Sequence, residues 1–144
     1  MNRTVAEMGE VRVEVRLTNL VDAELAARGD LPADQVRSVT RDALVDTGAV
    51  SSALPPDVAQ ELGLRVQHTR PVELADGKSQ RVGVVYGVIF DLIGRDTEDQ
   101  AFVIGNEVLI GQTVLEKLDL LVDCSNQRVI GNPEHPDGPV LKMK

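Results

Sequence analysis

Cysteine, tryptophan and histidine are nearly absent from this 144-residue chain, which has one Cys, no Trp and two His. A single cysteine excludes a disulfide within the chain, so packing must stabilise the fold. The two histidines, His68 and His135, lie far apart and no Cys pair accompanies them, which argues against a zinc site. Because the chain has only one Tyr and two Phe beside many Val and Leu, we expect an aliphatic core.

Basic residues and long apolar runs are also scarce. Lys and Arg number 15 against 23 Asp and Glu, and the net charge of -8 argues against nucleic acid or an anionic membrane as a partner. The longest apolar run, 82–90, contains two glycines and is far shorter than the roughly 20 residues that span a bilayer. The N-terminus lacks the apolar core of a signal peptide, and together with the single cysteine this indicates a cytoplasmic location.

The length suits one domain, 1–144, with a Gly- and Pro-rich tail at 131–144. Strict alternation of apolar and charged residues over 11–17 predicts a half-buried strand. Further strands are predicted at 36–45, 84–92, 101–104, 107–110, 120–122, 128–130 and 140–144, and a hairpin is predicted at 72–82. Helices are predicted at 21–28 with a stop at Gly29, from Pro55-Pro56 to Gly63, and at 113–118 with Thr113 as cap, while 95–100 is predicted to be a loop. Many short strands with two or three brief helices indicate a mostly β barrel or sandwich.

An apolar strand runs directly into Asp46-Thr47-Gly48-Ala49. Burying an aspartate at the end of a strand costs free energy unless partners stabilise its charge. Thr47 offers a hydroxyl, and Gly48 lets the backbone approach closely or take a positive φ. Asp46 is therefore a candidate catalytic group, although Asp-Thr-Gly also forms ordinary turns in which the aspartate caps local amides.

Three elements follow this loop in order. Leu54-Pro55 opens the next helix, Leu74-Ala75-Asp76-Gly77-Lys78 contains the Asp-Gly pair that fits a two-residue hairpin turn, and Leu109-Ile110-Gly111 directly precedes the last helix. With this order and spacing, the chain from about Val11 to Ile130 resembles the retropepsin-like (retroviral-type) aspartic proteases. In that family the hairpin is the flap that folds over bound peptide, and the apolar-apolar-Gly element packs beside the catalytic loop.

The resemblance implies a closed β-barrel with two or three short helices and a peptide hydrolase without cofactor or metal. It assigns catalysis to Asp46, support of the loop to 47–49, substrate contacts to the flap residues 74–78, and packing beside the loop to 109–111. Hydrolysis by this route needs two carboxylates that share one proton. The only other Asp-Thr pair, Asp96-Thr97, is followed by Glu98 and cannot replace a second Asp-Thr-Gly. The resemblance thus implies a homodimer, with one Asp46 from each copy at its axis, that acts on a peptide or protein.

Several alternatives stay open. Leu121-Val122-Asp123 echoes Leu44-Val45-Asp46, which makes Asp123 a minor candidate for a second acid, although a turn is enough to explain it. The segment 19–35 is longer than the minimal family turn and is expected to cover a cleft edge or the dimer surface.

The alternative function is a dimeric module on the same fold that binds a peptide without cutting it. One group of acidic residues is expected to be a solvated loop: Asp91, Asp96, Glu98 and Asp99.

Overall fold

Strands contain more residues than helices in the computed structural model, which describes residues 10–143. The strands are β1 (Val11–Asn19), β2 (Ser38–Val45), β3 (Ser52–Leu54), β4 (His68–Glu73), β5 (Ser79–Leu92), β6 (Arg95–Val103), β7 (Val108–Ile110), β8 (Leu120–Asp123) and β9 (Arg128–Gly131). The helices are α1 (Leu20–Ala27), α2 (Pro56–Glu61) and α3 (Gln112–Lys117), and a 3-10 turn spans Ala33–Gln35. None of the helices in residues 10–143 is long and apolar enough to cross a membrane.

Six of the strands close into a barrel. Their order is β1-β2-β7-β3-β6-β5, and the ring closes where Arg16–Asn19 of β1 pair with Val88–Asp91 of β5. Strand β4 lies outside this ring and pairs with β5, while β8 and β9 form a separate hairpin. The expectation of a mostly β, closed barrel with two or three short helices is confirmed.

The interior of the barrel is aliphatic, as the composition predicts. Every second side chain of β1 is buried from Val11 onward, because successive side chains of a strand point to opposite faces. Phe90 is the largest fully buried side chain among the described residues. Aliphatic side chains from strands and helices surround it in one core: Leu17, Leu54, Leu62, Leu92, Ile110 and Leu118.

Two parallel strands position the candidate site. Strand β2 runs parallel to β7, with Val45 opposite Ile110, so the next residues, Asp46 and Gly111, follow neighbouring strand ends. Strand β3 lies beyond β7 and also pairs with β6. The sequence does not predict β3, because three residues are too few to show a period.

The predicted loop at 95–100 is wrong, because these residues begin β6. They pair with β5, and the register places Arg95 opposite Leu92 and Asp99 opposite Val88. The chain reverses just before, at Ile93-Gly94, where both φ angles are positive at 55° and 72°. The first residues of β6 alternate between exposed and half-buried positions, so polar side chains suit a strand here as well as a loop.

The flap hairpin contains a three-residue loop, and the predicted two-residue turn is wrong. Leu74 N donates to Lys78 O at 2.8 Å, which leaves Ala75, Asp76 and Gly77 in the loop. Gly77 has φ 85°, the left-handed position that follows a type I turn in such loops. Glycine adopts this conformation without the steric cost of a Cβ.

Two further predictions differ from the structure. Helix α3 begins after Gly111, which has no side chain to cap it. Thr113, the predicted cap, lies inside the helix, and its hydroxyl donates to Asp99. Residues 140–143 form no strand, so the terminal strand predicted at 140–144 is wrong for the described residues; residue 144 lies outside them.

A buried carboxylate fixes the segment 19–35 to the barrel. Asp22 on α1 accepts hydrogen bonds from Nε and Nη2 of Arg37, at 2.8 and 3.0 Å, and from the Arg37 backbone amide at 3.0 Å. These bonds hold the pKa of Asp22 below its usual range. Asn19 caps α1 through Asp22 N and donates to Leu62 O at 2.9 Å, which ties the segment to the end of α2.

The Gly- and Pro-rich tail folds back on the rest of the chain. The carboxylate of Asp119 accepts hydrogen bonds from Asn132 Nδ2 and Val140 N, both at 3.1 Å, and contacts His135 Nδ1. Arg95 donates to the carbonyl oxygens of Asp119 and His135, at 2.9 and 2.8 Å. The hydrogen bonds to Asp119, chiefly from Asn132, keep the pKa of this carboxyl below its usual range.

Candidate active site

Asp46 lies where β2 leaves the barrel. Its backbone amide donates to Ile110 O at 2.9 Å, which continues the pairing of β2 with β7 by one residue. Its side chain is half-buried, and Oδ1 accepts a hydrogen bond from Gly48 N at 2.9 Å. Ala49 N donates to Asp46 O at 3.2 Å and closes the turn. The carboxylate is thus oriented by its own loop, a contact that suits both a catalytic aspartate and an ordinary turn.

The three residues after Asp46 differ in exposure. Thr47 and Gly48 are exposed, and Ala49 is half-buried. Gly48 does not adopt a positive φ; instead, a Cβ at this position would lie 3.2 Å from Asp46 Oδ1, tighter than most real Cβ contacts. Of the two reasons for a glycine that the sequence offers, close approach is the one that the structure supports.

Helix α3 supports the segment Asp46–Ser51, called the catalytic loop below. Gln112 N and Thr113 N donate to the carbonyl oxygens of Ala49 and Val50, at 2.8 and 3.0 Å. These amides belong to the first turn of α3 and have no partner within the helix, so the loop carbonyls satisfy them.

Gly111 permits this contact between helix and loop. A Cβ on Gly111 would lie 2.5 Å from the carbonyl carbon and oxygen of Ser51, a distance that real Cβ atoms do not reach. Gly111 N also donates to the buried Ser52 Oγ at 2.9 Å. The Leu109-Ile110-Gly111 element therefore packs against the catalytic loop, with a glycine where backbone meets backbone.

A cleft of about 670 Å³ borders Asp46. Its lining comes from the catalytic loop, from β3, β6 and β7, and from the flap arm, which we define as residues 68–82. These residues are Asp46, Gly48, Ala49, Val50, Ser51, Ala53, Val72, Glu73, Leu74, Ala75, Phe102, Ile104 and Leu109. The cleft is largely apolar, and among its lining residues only Asp46 and Glu73 carry an ionisable side chain.

Of the flap residues predicted to contact substrate, the structure brings Leu74 and Ala75 into the cleft together with Asp46. Asp76, Gly77 and Lys78 form the exposed tip and do not line it. Among the packing residues, Leu109 lines the cleft, whereas Ile110 and Gly111 lie buried behind the catalytic loop.

The family of the chain follows from comparison with known sequences. A family model described as "gag-polyprotein putative aspartyl protease" matches residues 35–117, more than half of the chain. The chain belongs to this aspartyl protease family. The matched region contains the catalytic loop, the flap arm and α3. The comparison with curated proteins gave no match.

Solved structures of foamy virus proteins are similar to this chain. The solution structure of the simian foamy virus (mac) protease is 16% identical, with a TM-score of 0.46, over 72% of this chain and 90% of that one. The foamy viral protease-reverse transcriptase, solved in complex with an RNA/DNA hybrid, is 15% identical with a TM-score of 0.49. That match covers 73% of this chain and 11% of the viral one, so the chain spans about a tenth of the larger protein.

Asp123, the minor candidate for a second acid, is a turn residue in this family member. It ends β8 and accepts hydrogen bonds from Asn126 N, Asn126 Nδ2 and Arg128 Nε, at 3.3, 2.9 and 3.1 Å. The hydrogen bonds from the Asn126 and Arg128 side chains hold its pKa below the usual range. A carboxylate engaged in this way within the β8–β9 hairpin suits a structural role.

Sequence reasoning missed Asp99. It is only 8% exposed, so the expectation that it is solvated is wrong. The misleading signal is the run of polar residues around it, which hides its inward position on β6.

The segment 19–35 lines no part of the cleft described above. Within residues 10–143, no three His, Cys, Asp or Glu side chains are grouped so that they could hold a metal ion.

Proposed function

We propose that this protein is an aspartic endopeptidase whose active site forms between two copies of the chain, with one Asp46 from each. The observation that carries the proposal is the place of Asp46: a half-buried carboxylate on a loop fixed by α3, beside a largely apolar cleft that the flap arm also lines. Membership of the aspartyl protease family supports the same reaction class.

The chemistry requires two carboxylates a few ångströms apart. Like charges at that distance cannot both ionise, so the pair holds one proton. The ionised member takes a proton from a water molecule that lies between them, and the resulting nucleophile attacks the scissile carbonyl carbon. The protonated member donates its proton to the carbonyl oxygen. The tetrahedral intermediate then collapses: one of its hydroxyl groups returns a proton to the pair, the C–N bond breaks, and the pair protonates the leaving amine, so that one proton remains on the pair.

The second carboxylate is best supplied by a second copy. Glu73 is the other acid of the cleft lining, but it lies on the flap arm rather than on the rigid barrel. Thr47 and Gly48 are exposed and Val50 is 73% exposed, so this side of the catalytic loop is accessible to a partner. A two-fold axis beside Asp46 would bring the two loops together.

Peptide is the substrate class that suits the cleft. Its apolar lining fits aliphatic or aromatic side chains, and strand β4 of the flap arm can pair with an extended backbone. The net charge of -8 disfavours nucleic acid as a substrate. A cytoplasmic location stays a prediction from the sequence.

The decisive experiment compares the wild type with Asp46→Asn on a diverse peptide mixture from about pH 4 to 7, with the dimer fraction measured by sedimentation. Asp91→Asn is the matched control, because Asp91 is an exposed carboxylate on β5 outside the cleft. We expect cleavage by the wild type and the control that follows the dimer fraction, and none by Asp46→Asn.

Each other result contradicts the proposal in a different way. A dimer that binds peptides but cuts none of them at any pH would indicate the peptide-binding module. Cleavage by a protein that stays monomeric would exclude the shared pair of carboxylates. Activity that survives in Asp46→Asn would make Asp-Thr-Gly an ordinary turn.

A further inference from the structure

Asp99 is a carboxylate that the proposed reaction does not use, yet it is almost completely buried. Its exposed fraction is 8%, and it lies on the same face of β6 as the half-buried Thr97 and the buried Ala101. Removing a charge from water costs free energy unless hydrogen bonds and opposite charges replace the lost hydration. The contacts that Asp99 makes therefore indicate why a buried charge is kept at this position.

The partners of Asp99 connect β6 to the first turn and to the last residue of α3. Thr113 Oγ1 donates to Oδ2 at 2.7 Å, the short distance typical of a hydroxyl on a carboxylate. Lys117 Nζ lies 3.3 Å from Oδ1, and the Gln100 amide donates to the same oxygen at 2.9 Å. Thr113 and Lys117 are four residues apart and so share one face of α3.

Of these contacts, the one with Thr113 is the stronger constraint. The Lys117 side chain is 43% exposed, and ion pairs open to water contribute little. The Thr113 hydroxyl is half-buried, and removing it would leave Asp99 Oδ2 without this donor in a buried place. The orientation of α3 therefore depends on the hydroxyl more than on the ammonium group.

Thr113 also holds the catalytic loop. Its backbone amide donates to Val50 O at 3.0 Å, while the amide before it, Gln112 N, donates to Ala49 O. One residue therefore joins a buried carboxylate, through its side chain, to the catalytic loop, through its backbone. Ala49 in turn donates to Asp46 O, so the chain of contacts ends at the aspartate itself.

We propose that Asp99 is a positioning residue, which acts through Thr113 to hold the catalytic loop in the geometry that two facing Asp46 carboxylates need. The proposal rests on the function proposed above. Two carboxylates that share a proton tolerate little displacement, and a shift of about 1 Å can cost about a hundredfold in rate. Most of the residues that line the cleft lie outside the catalytic loop, on β3, β6, β7 and the flap arm, so substrate binding should change less than turnover.

The test uses variants that separate the contact with Thr113 from the contact with Lys117. Thr113→Val removes the hydroxyl and keeps the backbone amide, Thr113→Ser keeps the hydroxyl, and Lys117→Met removes only the ammonium group. Val114→Ala is the control for general destabilisation, because Val114 is fully buried on the same helix. Asp99→Ala removes the carboxylate. For each variant kcat, KM and the thermal midpoint are measured, together with hydrogen exchange at the Gln112 and Thr113 amides.

We expect kcat to fall between about tenfold and a hundredfold in Thr113→Val and Asp99→Ala, with KM changed less than about twofold. Both variants should speed exchange at the two amides, and combining them should add little to either one alone. Thr113→Ser and Lys117→Met should retain the wild-type kcat and exchange rates. Val114→Ala should lower the thermal midpoint while kcat and exchange at these amides stay close to wild type.

Two results would overturn the proposal. One is a Thr113→Val variant with wild-type kcat and exchange rates; the other is a loss of kcat in Val114→Ala equal to that in Thr113→Val at the same thermal midpoint. If the wild type cuts no peptide, the proposed function fails, but amide exchange still decides the link from Asp99 to the loop. Faster exchange in Asp99→Ala and Thr113→Val, but not in Thr113→Ser, would support the link, and unchanged exchange would exclude it.

Discussion

At the scale of single residues, backbone amides set the position of Asp46. Gly48 N orients its carboxylate, and the first amides of α3 hold the residues that follow. These donors belong to backbone that the turn and the helix already order, so no further side-chain rotamers are fixed to make the hydrogen bonds. The side chains of the cleft remain free to determine which substrates bind.

Glu73 is the residue we expect to set a charge preference. It is exposed on the flap arm, and it and Asp46 are the two ionisable residues that line the cleft, both of them acidic. Substrates with Lys or Arg near this position should be cut faster than peptides with norleucine there. Glu73→Gln should reduce this preference about two- to fivefold, the range for an exposed ion pair, and Glu73→Lys should reverse it. The measurement is kcat/KM for matched peptides; Glu24→Gln, on α1, is the control, and an unchanged ratio in Glu73→Lys would contradict the expectation.

Asp22 should contribute to stability only above acidic pH. Its folded pKa is lowered by Arg37, while in the unfolded chain it is close to about 3.9. Its contribution is therefore complete above the unfolded value and is lost as the pH falls through the folded value. We expect Asp22→Asn to lower the free energy of unfolding by about 1 kcal/mol at pH 7, a modest figure because the Arg37 side chain is 51% exposed.

Urea unfolding at pH 7 and below pH 3 would check this prediction. The difference between wild type and Asp22→Asn should shrink at the lower pH, because the wild-type carboxyl is then increasingly protonated. Asp34→Asn, an exposed carboxylate on the same segment, should change stability little at either pH. A difference that stays constant with pH would show that packing, rather than charge, explains the effect.

At the scale of elements, the sequence is informative where one face of a strand is buried. The alternation in β1 and the stops at Gly29 and Gly63 agree with the structure, since each has a local physical cause. The prediction fails for 95–100, because pairing with β5 makes a polar segment into a strand. Strand β3 and the burial of Asp99 depend on contacts distant in sequence, which no local pattern contains.

For the candidate site, the sequence predicts the loop, the flap and the packing glycine. The cleft brings Asp46, Leu74, Ala75 and Leu109 together, although they are far apart in the chain. The role of Gly111 becomes visible only from its distance to Ser51. The link from Asp99 to the loop needs three-dimensional coordinates, because it joins residues of β6, α3 and the loop.

The turn between β5 and β6 should store strain that a single substitution relieves. Ile93 is β-branched and has a φ of 55°, a conformation that costs such residues about 1–2 kcal/mol, and Gly94 follows it. Asn-Gly is the preferred pair for a two-residue turn with both φ angles positive. We expect Ile93→Asn to raise the free energy of unfolding by about 1 kcal/mol, measured by urea unfolding.

Val21→Asn is the control for this prediction. Val21 is 62% exposed on α1, and Val and Asn have similar helix propensities, so the change should stay within about 0.5 kcal/mol. A loss of stability in Ile93→Asn would show that the Ile93 side chain, which is 47% exposed, gains more from packing than its backbone loses.

At the scale of the whole molecule, charge should oppose the proposed dimer. Each subunit carries -8 at neutral pH, so a dimer carries twice that, or -16. Repulsion between the subunits is screened by salt and relieved as carboxylates take up protons. We expect the dimer fraction to increase from about 50 to 500 mM salt at pH 7, where the Debye length shortens to a few ångströms, and also from pH 7 to 5.

Sedimentation velocity at fixed protein concentration would measure this response. Lys78→Glu offers a comparison, because it makes each exposed flap tip more negative without touching the catalytic loop. It should weaken the dimer at low salt and have little effect at high salt. A dimer that dissociates on adding salt would mean that ion pairs across the interface outweigh the net repulsion.

The tail described above has a consequence for how such an enzyme would be controlled. Residues 132–140 are bound to Asp119 and Arg95 of the same chain, so they are not available to pair with a second copy. Because that segment is bound within its own chain, the interface of the proposed dimer would bury less area than one that includes the tail. The two copies would then dissociate easily. The number of complete active sites in a dilute solution then grows with the square of the number of chains. Doubling the amount of protein would quadruple proteolysis, so abundance alone could act as the switch.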